Sequence, residues 1–297
     1  MADHTDRGMA DAGRDEVGPL VLGAWDSFLD QAAAVDLQRP SRLPRWRAQE
    51  ICVHLGCWDD HTALADLIAS ARSGAAGRAP DPDAVNARVT AAHRDAPRDE
   101  VLAALRRHRD ATARYLADEP VELDTAAALS VVGGVPLLSV VLGQAYELAV
   151  HGLDLVSCGA PPPPPSTLQA GLAALVDVTG ALAATHGIAG RATLTGPDGG
   201  WAFATGGGGW TVRRVPPGSP DGAGVEAPAG LLLDVASGRA NAVPAAAQRR
   251  LRVHDPRGLL PLAPIVQHVP GIPGGPILRM ATRAMAGPVG VLGRLFR

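Results

Sequence analysis

The chain has 297 residues, 46% hydrophobic and 19% charged, the balance of a soluble globular protein long enough for two domains that each bury a core. A formal net charge of −3 offers phosphate no general positive field, so no nucleic-acid partner is expected. All 27 basic residues are Arg, which excludes a catalytic lysine.

Cys52, Cys57 and Cys158 form no CxxC pair and no disulfide framework, which fits a reducing compartment. The first residues, MADHTDRGMADAGRDE, are polar and lack the basic-then-apolar layout of a signal peptide. No long uncharged apolar run suggests a membrane span, so the expected localisation is cytoplasmic.

Residues 1–16 read as a flexible leader. From Val17 to Asp36, Leu20, Val21, Ala24, Trp25, Phe28, Leu29 and Ala32 recur at helical spacing and predict a first helix. After a link containing Pro40 and Pro44, a second helix is predicted from Trp46 to Ala71, with Ile51, His54, Leu55, Trp58, Leu64 and Ile68 along one stripe. His54 therefore faces inward, with Cys57 and His61 leaning to the same side. A Gly/Pro loop at 72–83 ends in an Asp cap. A third helix follows from Ala84, breaks at Pro97 and resumes through Tyr115, with His93 and His108 read as surface groups. Residues 119–134 are expected to be a loop stopped by Gly133 and Gly134.

The stretch VPLLSVVLGQAYELAVHGLD, Val135 to Asp154, is apolar nearly all round, the mark of a buried helix. Glu147 and His151 lie one helical turn apart on a shared face. A carboxylate there needs a pairing partner or a metal. Carboxylate plus imidazole is half of a divalent-metal site, and a buried Glu–His or Glu–Arg hydrogen bond is the alternative. Together with inward-facing His54, the pair makes a His, Glu, His set with open positions, the pattern of a catalytic zinc site between facing helices.

The segments PRWRAQEICVHL, with Trp46 ahead of His54, and YELAVHGLDL resemble the second- and fourth-helix signatures of mycothiol-dependent maleylpyruvate isomerases and their DinB-like relatives. The resemblance implies a DinB-like four-helix bundle over residues 17–158, with His54, Glu147 and His151 as zinc ligands. Asp154 matches the family's Asp and would orient a ligand, unless it is only a polar residue closing the helix.

The proline run at 160–166 marks a stiff linker over residues 159–166. Beyond it, STLQAGLAALVDVTGALAATHG reads as a helix, RATLTGPDGGWAFAT as strand–turn–strand and WTVRRV as a third strand. The four glycines at 206–209 precede a strand and no Lys-Ser/Thr, which marks a hairpin loop rather than a phosphate loop. LLLDVASGR is a helix ending at Gly238, and RRLRVHD a further strand. This order over residues 167–258 resembles the small α+β sterol-carrier-protein-like domain of the same family, so the expected fold class is a two-domain α plus α/β chain. The resemblance implies that an Arg of this domain reaches the metal cleft and binds the substrate carboxylate. Arg239 is the nearest candidate, with Arg249, Arg250 and Arg252 close behind and a plain surface role as the alternative. Residues 259–297 form a Pro/Gly-rich apolar, then basic, extension. Packing on the bundle is the favoured reading; closing over the cleft or lying on a membrane surface are the others.

The resemblance implies chemistry with two partners, a low-molecular-weight thiol such as mycothiol and a small electrophile, in isomerisation or thiol transfer. A metal-dependent hydrolase using His61 or Asp60 as base, and a non-catalytic binding protein with a structural metal, remain alternatives.

Overall fold

Helical spacing of apolar residues organises the first half of the chain, and alternation organises the second. The computed structural model describes residues 6–58, 63–74, 81–130 and 133–268. A short helix α1, Met9–Ala12, leads into α2, Arg14–Ala34, which buries Val17, Val21, Ala24, Trp25, Phe28 and Ala32 against the rest of the helical region. Residues 6–16 are thus folded, not the flexible leader expected. Backbone pairing and charge hold them: Gly8 N donates to the Trp210 carbonyl at 2.8 Å, Trp210 N to that of Asp6 at 3.0 Å, and Arg14 sits on Asp124 at 2.8 Å. Polar composition concealed contacts that close over two hundred residues of chain.

The second predicted helix is two. Helix α3, Ala48–Leu55, opens with the Arg47 N–H donating to Glu50 at 2.8 Å and stops at Gly56. The chain bends there because the Trp58 indole N–H takes the Val53 carbonyl at 2.9 Å and Cys57 N takes that of Ala104 at 3.0 Å. A Cβ on Gly56 would meet that indole nitrogen at 2.9 Å, so glycine is what lets the tryptophan fold back. The pattern resumes in α4, Ala63–Ser73. Helix α5, Pro82–His93, starts from an Asp81 cap, and α6, Arg98–Asp118, begins directly after Pro97, where the sequence places the break. The predicted loop at 119–134 carries an antiparallel hairpin instead, β1 (Ala127–Ser130) and β2 (Gly133–Pro136), whose strands are too short to show alternation. It feeds α7, Leu137–Val156.

The proline run turns a corner rather than holding two bodies apart. The Gln31 amide donates to the Pro161 carbonyl at 2.6 Å, and Pro165 opens α8, Pro165–Thr185, which folds back along α7. The two helices pack closely through small residues: a Cβ on Gly171 would lie 2.6 Å from that of Ala149. Helix α8 is long and apolar enough to cross a membrane, yet most of it is buried between α7 and the sheet.

The sheet contains β3 (Gly190–Gly196), β4 (Gly199–Gly206), β5 (Gly209–Val215), β6 (Gly224–Glu226) and, beyond the helices α9 (Ala229–Ala236) and α10 (Ala242–Ala247), β7 (Arg252–His254). Spatial order is β5-β4-β3-β6-β7, parallel only between β3 and β6. The register sets Ala192 opposite Phe203 and Leu194 opposite Trp201, a face that α8 covers; the Trp201 indole donates to the Gln169 carbonyl at 3.0 Å. Gly207 and Gly208, at φ 61° and 83°, make the two-residue hairpin turn of the four-glycine run. A helix α11, Pro256–Leu259, and a 3-10 turn at Leu260–Gln267 follow, the latter setting Ile265 against Leu182 and Ala183 of α8. The remainder of the basic extension lies outside the described residues. One buried cluster runs from α2 to α9 and Leu251, so the helical and sheet regions share a core.

Candidate metal centre

Two helices bring the expected ligands together. Helix α7 presents Glu147 and His151 on one face, and the last turn of α3 presents His54 opposite them. One donor atom from each of the three lies within 4.8 Å of the others. Glu147 Oε2 is 3.7 Å from His54 Nε2 and 3.6 Å from His151 Nε2, too long for hydrogen bonds. Those lengths are close to the ligand–ligand edge around an ion bound at about 2.0–2.2 Å. The three donors could hold a divalent cation. Glu147, expected to be buried, is 47% exposed in its side chain, so the carboxylate stands at the open side of the site.

The far side of each imidazole is fixed. His151 Nδ1 lies 2.9 Å from Asp154 Oδ2, and His54 Nδ1 lies 3.1 Å from Asn86 Oδ1 on α5. Both Nε2 atoms are thereby turned toward Glu147. The Trp46 indole packs over both rings, stacked on His151 at 5.9 Å between centroids and tilted against His54 at 5.4 Å.

Beneath His151 a charge network reaches into the sheet region. Asp154, wholly buried, receives Arg42 Nε at 2.7 Å and Arg239 Nη2 at 2.8 Å, and Arg42 continues to Asp234 on α9 at 2.6 Å. Gly238, at φ 73°, ends α9 in a left-handed turn that aims Arg239 back at α7. Burial raises the Asp154 pKa, but hydrogen bonds from His151 and Arg239 more than offset it and hold the carboxyl well below its usual range. Burial pulls the His151 pKa below its ordinary value despite Asp154. For Glu147, burial acts upward, while the two imidazoles and Arg239 bring the net shift downward. These shifts favour the neutral form of His151 and the ionised form of Glu147, the forms in which each can ligate a divalent ion.

Among the other sequence-predicted residues, Arg239 does arrive at the site, but its Nε and Nη2 are spent on Asp154. Arg249, Arg250 and Arg252 line a separate cleft. Cys57 lies past the end of α3 and is not in the cluster; Asp60 and His61 fall outside the described residues. His93 and His108 are not plain surface groups. His93 stacks on Trp58 at 3.9 Å, and His108 packs on Trp25 with Nδ1 2.8 Å from the Leu55 carbonyl. Asn86, Arg42 and Asp234 went unforeseen, since single polar residues in loops or on exposed helix faces carry no spacing signal.

Residues 21–156 match the model of the family described as the mycothiol maleylpyruvate isomerase N-terminal domain. The crystal structure of the mycothiol-dependent maleylpyruvate isomerase is similar in fold, at 18% identity and a TM-score of 0.50, covering 78% of this chain and 92% of that one. A mutant of that isomerase with a histidine replaced by alanine matches at 17% identity with the same TM-score. No curated protein matches the chain.

Proposed function

Because residues 21–156 match the family model of the mycothiol maleylpyruvate isomerase N-terminal domain, we propose that the chain is a member of that family and a metal-dependent enzyme acting with a low-molecular-weight thiol. The thiol is mycothiol or a close analogue, the partner is a small electrophile, and the reaction is isomerisation or thiol transfer. The observation that carries this reading is the convergence of His54, Glu147 and His151, with one side of the cluster open. With it goes a reading of residues 17–158 as a DinB-like four-helix bundle and of residues 167–258 as a sterol-carrier-like α+β domain. The three cysteines, none in a disulfide, support a cytoplasmic setting.

His54, Glu147 and His151 would hold the ion, zinc by this donor set, and when bound it would keep a cosubstrate thiol as thiolate at neutral pH. The chain's own groups prepare for that. Asp154 accepts a hydrogen bond from the His151 Nδ1–H and leaves Nε2 as the ligating atom, while Arg42 and Arg239 hold Asp154 ionised. Asn86 plays the corresponding part for His54. Trp46 covers the imidazoles on one side and keeps water from that face. The Nη1 of Arg239 has only the Ser237 carbonyl, at 3.3 Å, and is the group assigned to a substrate carboxylate. In isomerisation the thiolate adds to an activated double bond, the resulting single bond rotates, and the thiol leaves. In transfer the adduct is the product.

The test is turnover of a panel of electrophilic alkenes with and without mycothiol, on protein of measured metal content. Turnover should require the thiol, and Cys57→Ala should retain most of it, because Cys57 stands outside the cluster. Thiol-independent hydrolysis by the parent protein would overturn this reading in favour of the hydrolase.

A further inference from the structure

A cleft of about 480 Å³ opens in the sheet region, between the β3–β4 turn at Pro197, the start of α9 at Ala227, Pro228 and Leu231, and the arginines Arg249, Arg250 and Arg252. Its charges are not balanced within it. Two acids line it against three arginines, and neither meets Arg249 or Arg250: Glu226 holds His254 at 2.9 Å, Ser219 at 3.0 Å and the lining Arg252 at 3.7 Å, while Asp234 holds Arg42 at 2.6 Å. Among the described residues, the guanidinium groups of Arg249 and Arg250 have no hydrogen-bond or ion-pair partner.

The segment that carries them is built rather than loose. Helix α10 ends in a turn in which Arg249 N and Arg250 N donate to the Ala246 and Ala245 carbonyls, each at 2.9 Å. Arg249 adopts a left-handed φ of 58°, and buried Leu251 anchors the strand that follows. Arginine there bears a backbone cost that glycine would not. Leu231, Pro197 and Pro228 add apolar surface to the cleft lining.

We propose that this cleft binds a small organic anion carrying two or more negative charges on carboxylate or phosphate oxygens. Each guanidinium presents parallel N–H donors to such oxygens, and Arg249 and Arg250, paired with neither lining acid, supply the charge balance. The apolar surface accommodates the carbon body of the ligand. The assignment is independent of the metal centre: the cleft shares only Asp234 with the network beneath His151, and that carboxylate already faces Arg42.

Calorimetric titration of the full chain at fixed ionic strength, with succinate as the carboxylate probe and inorganic phosphate as the other, tests it. At least one probe should bind saturably. Arg249→Gly and Arg250→Ala should each weaken that binding by about tenfold, the loss expected for one charge-assisted hydrogen-bonding group. Arg249→Gly relieves the left-handed strain, so an unlowered thermal midpoint will show that the variant is folded while the guanidinium is gone. Binding of succinate alone identifies a carboxylate ligand, and binding of phosphate alone a phosphorylated one; either supports the site. Saturable binding by neither probe, or binding equal in parent and both variants, would overturn it.

Discussion

Asp154 Oδ2 lies 2.9 Å from His151 Nδ1, and the carboxylate is wholly buried with two arginines on it. A neutral amide in its place would orient the ring poorly and leave Arg42 and Arg239 without their counter-charge. Asp154→Asn should therefore lower metal affinity by about 10–100-fold. It should also cost about 3–5 kcal/mol of stability, as breaking one partner of a buried ion pair does. Chelator competition and denaturant melts read the two effects separately; an Asn variant with parental affinity would show that His151 needs no such support.

The purified protein should carry one divalent ion per chain, and His151→Ala should release most of it. Two remaining ligands, one of them a half-exposed carboxylate, hold zinc poorly. Elemental analysis after gel filtration gives the answer, and full occupancy in the variant would remove His151 from the ligand set.

The Arg47–Glu50 pair at the start of α3 should make stability depend on acid pH. Burial pushes the Glu50 carboxyl up, but hydrogen bonds from the Arg47 side chain and backbone bring it below its ordinary value. A depressed folded-state pKa means that the contribution is complete above the unfolded carboxylate value and fades as pH falls through the folded one. Glu50→Gln should cost about 0.5–1 kcal/mol at neutral pH and nothing once both forms are protonated. Urea melts across that window check the convergence; a gap that persists in acid would assign the loss to packing.

A chain ended at Gly159 should not melt cooperatively. It would expose the α7 surface that α8 covers, where Gly171 packs on Ala149, and it would remove Trp210 from the first residues. Circular dichroism with a dye that reports exposed apolar surface distinguishes a loose helical fragment from a folded one.

The helix carrying Glu147 and His151 was legible because burial all round and i, i+4 spacing are local properties of the sequence. His54 was legible only as one inward histidine, and the resemblance of two segments joined it to the other pair. The charge network was not legible: Arg42, Asp154, Asp234 and Arg239 meet across nearly two hundred residues, and ion pairs leave no periodic trace. The same limit hid the anchoring of residues 6–16, while the break at Gly56 was masked because Leu64 and Ile68 extend the apolar stripe on the far side of the gap. Alternation in β3–β5 was readable; three-residue β6, whose pairing with β3 is the one parallel step, was too short to be seen.

Trp210 pairs with Asp6 and Gly8 through the backbone, and its indole N–H reaches Asp177 at 2.7 Å, where Met9 N also donates at 2.9 Å. During synthesis, then, the opening residues leave the ribosome with their docking surface still unmade. The helices that form first must wait for α8 and β5 before the core can close, so the native state should appear late in translation and slowly in refolding, as long-range contacts dictate.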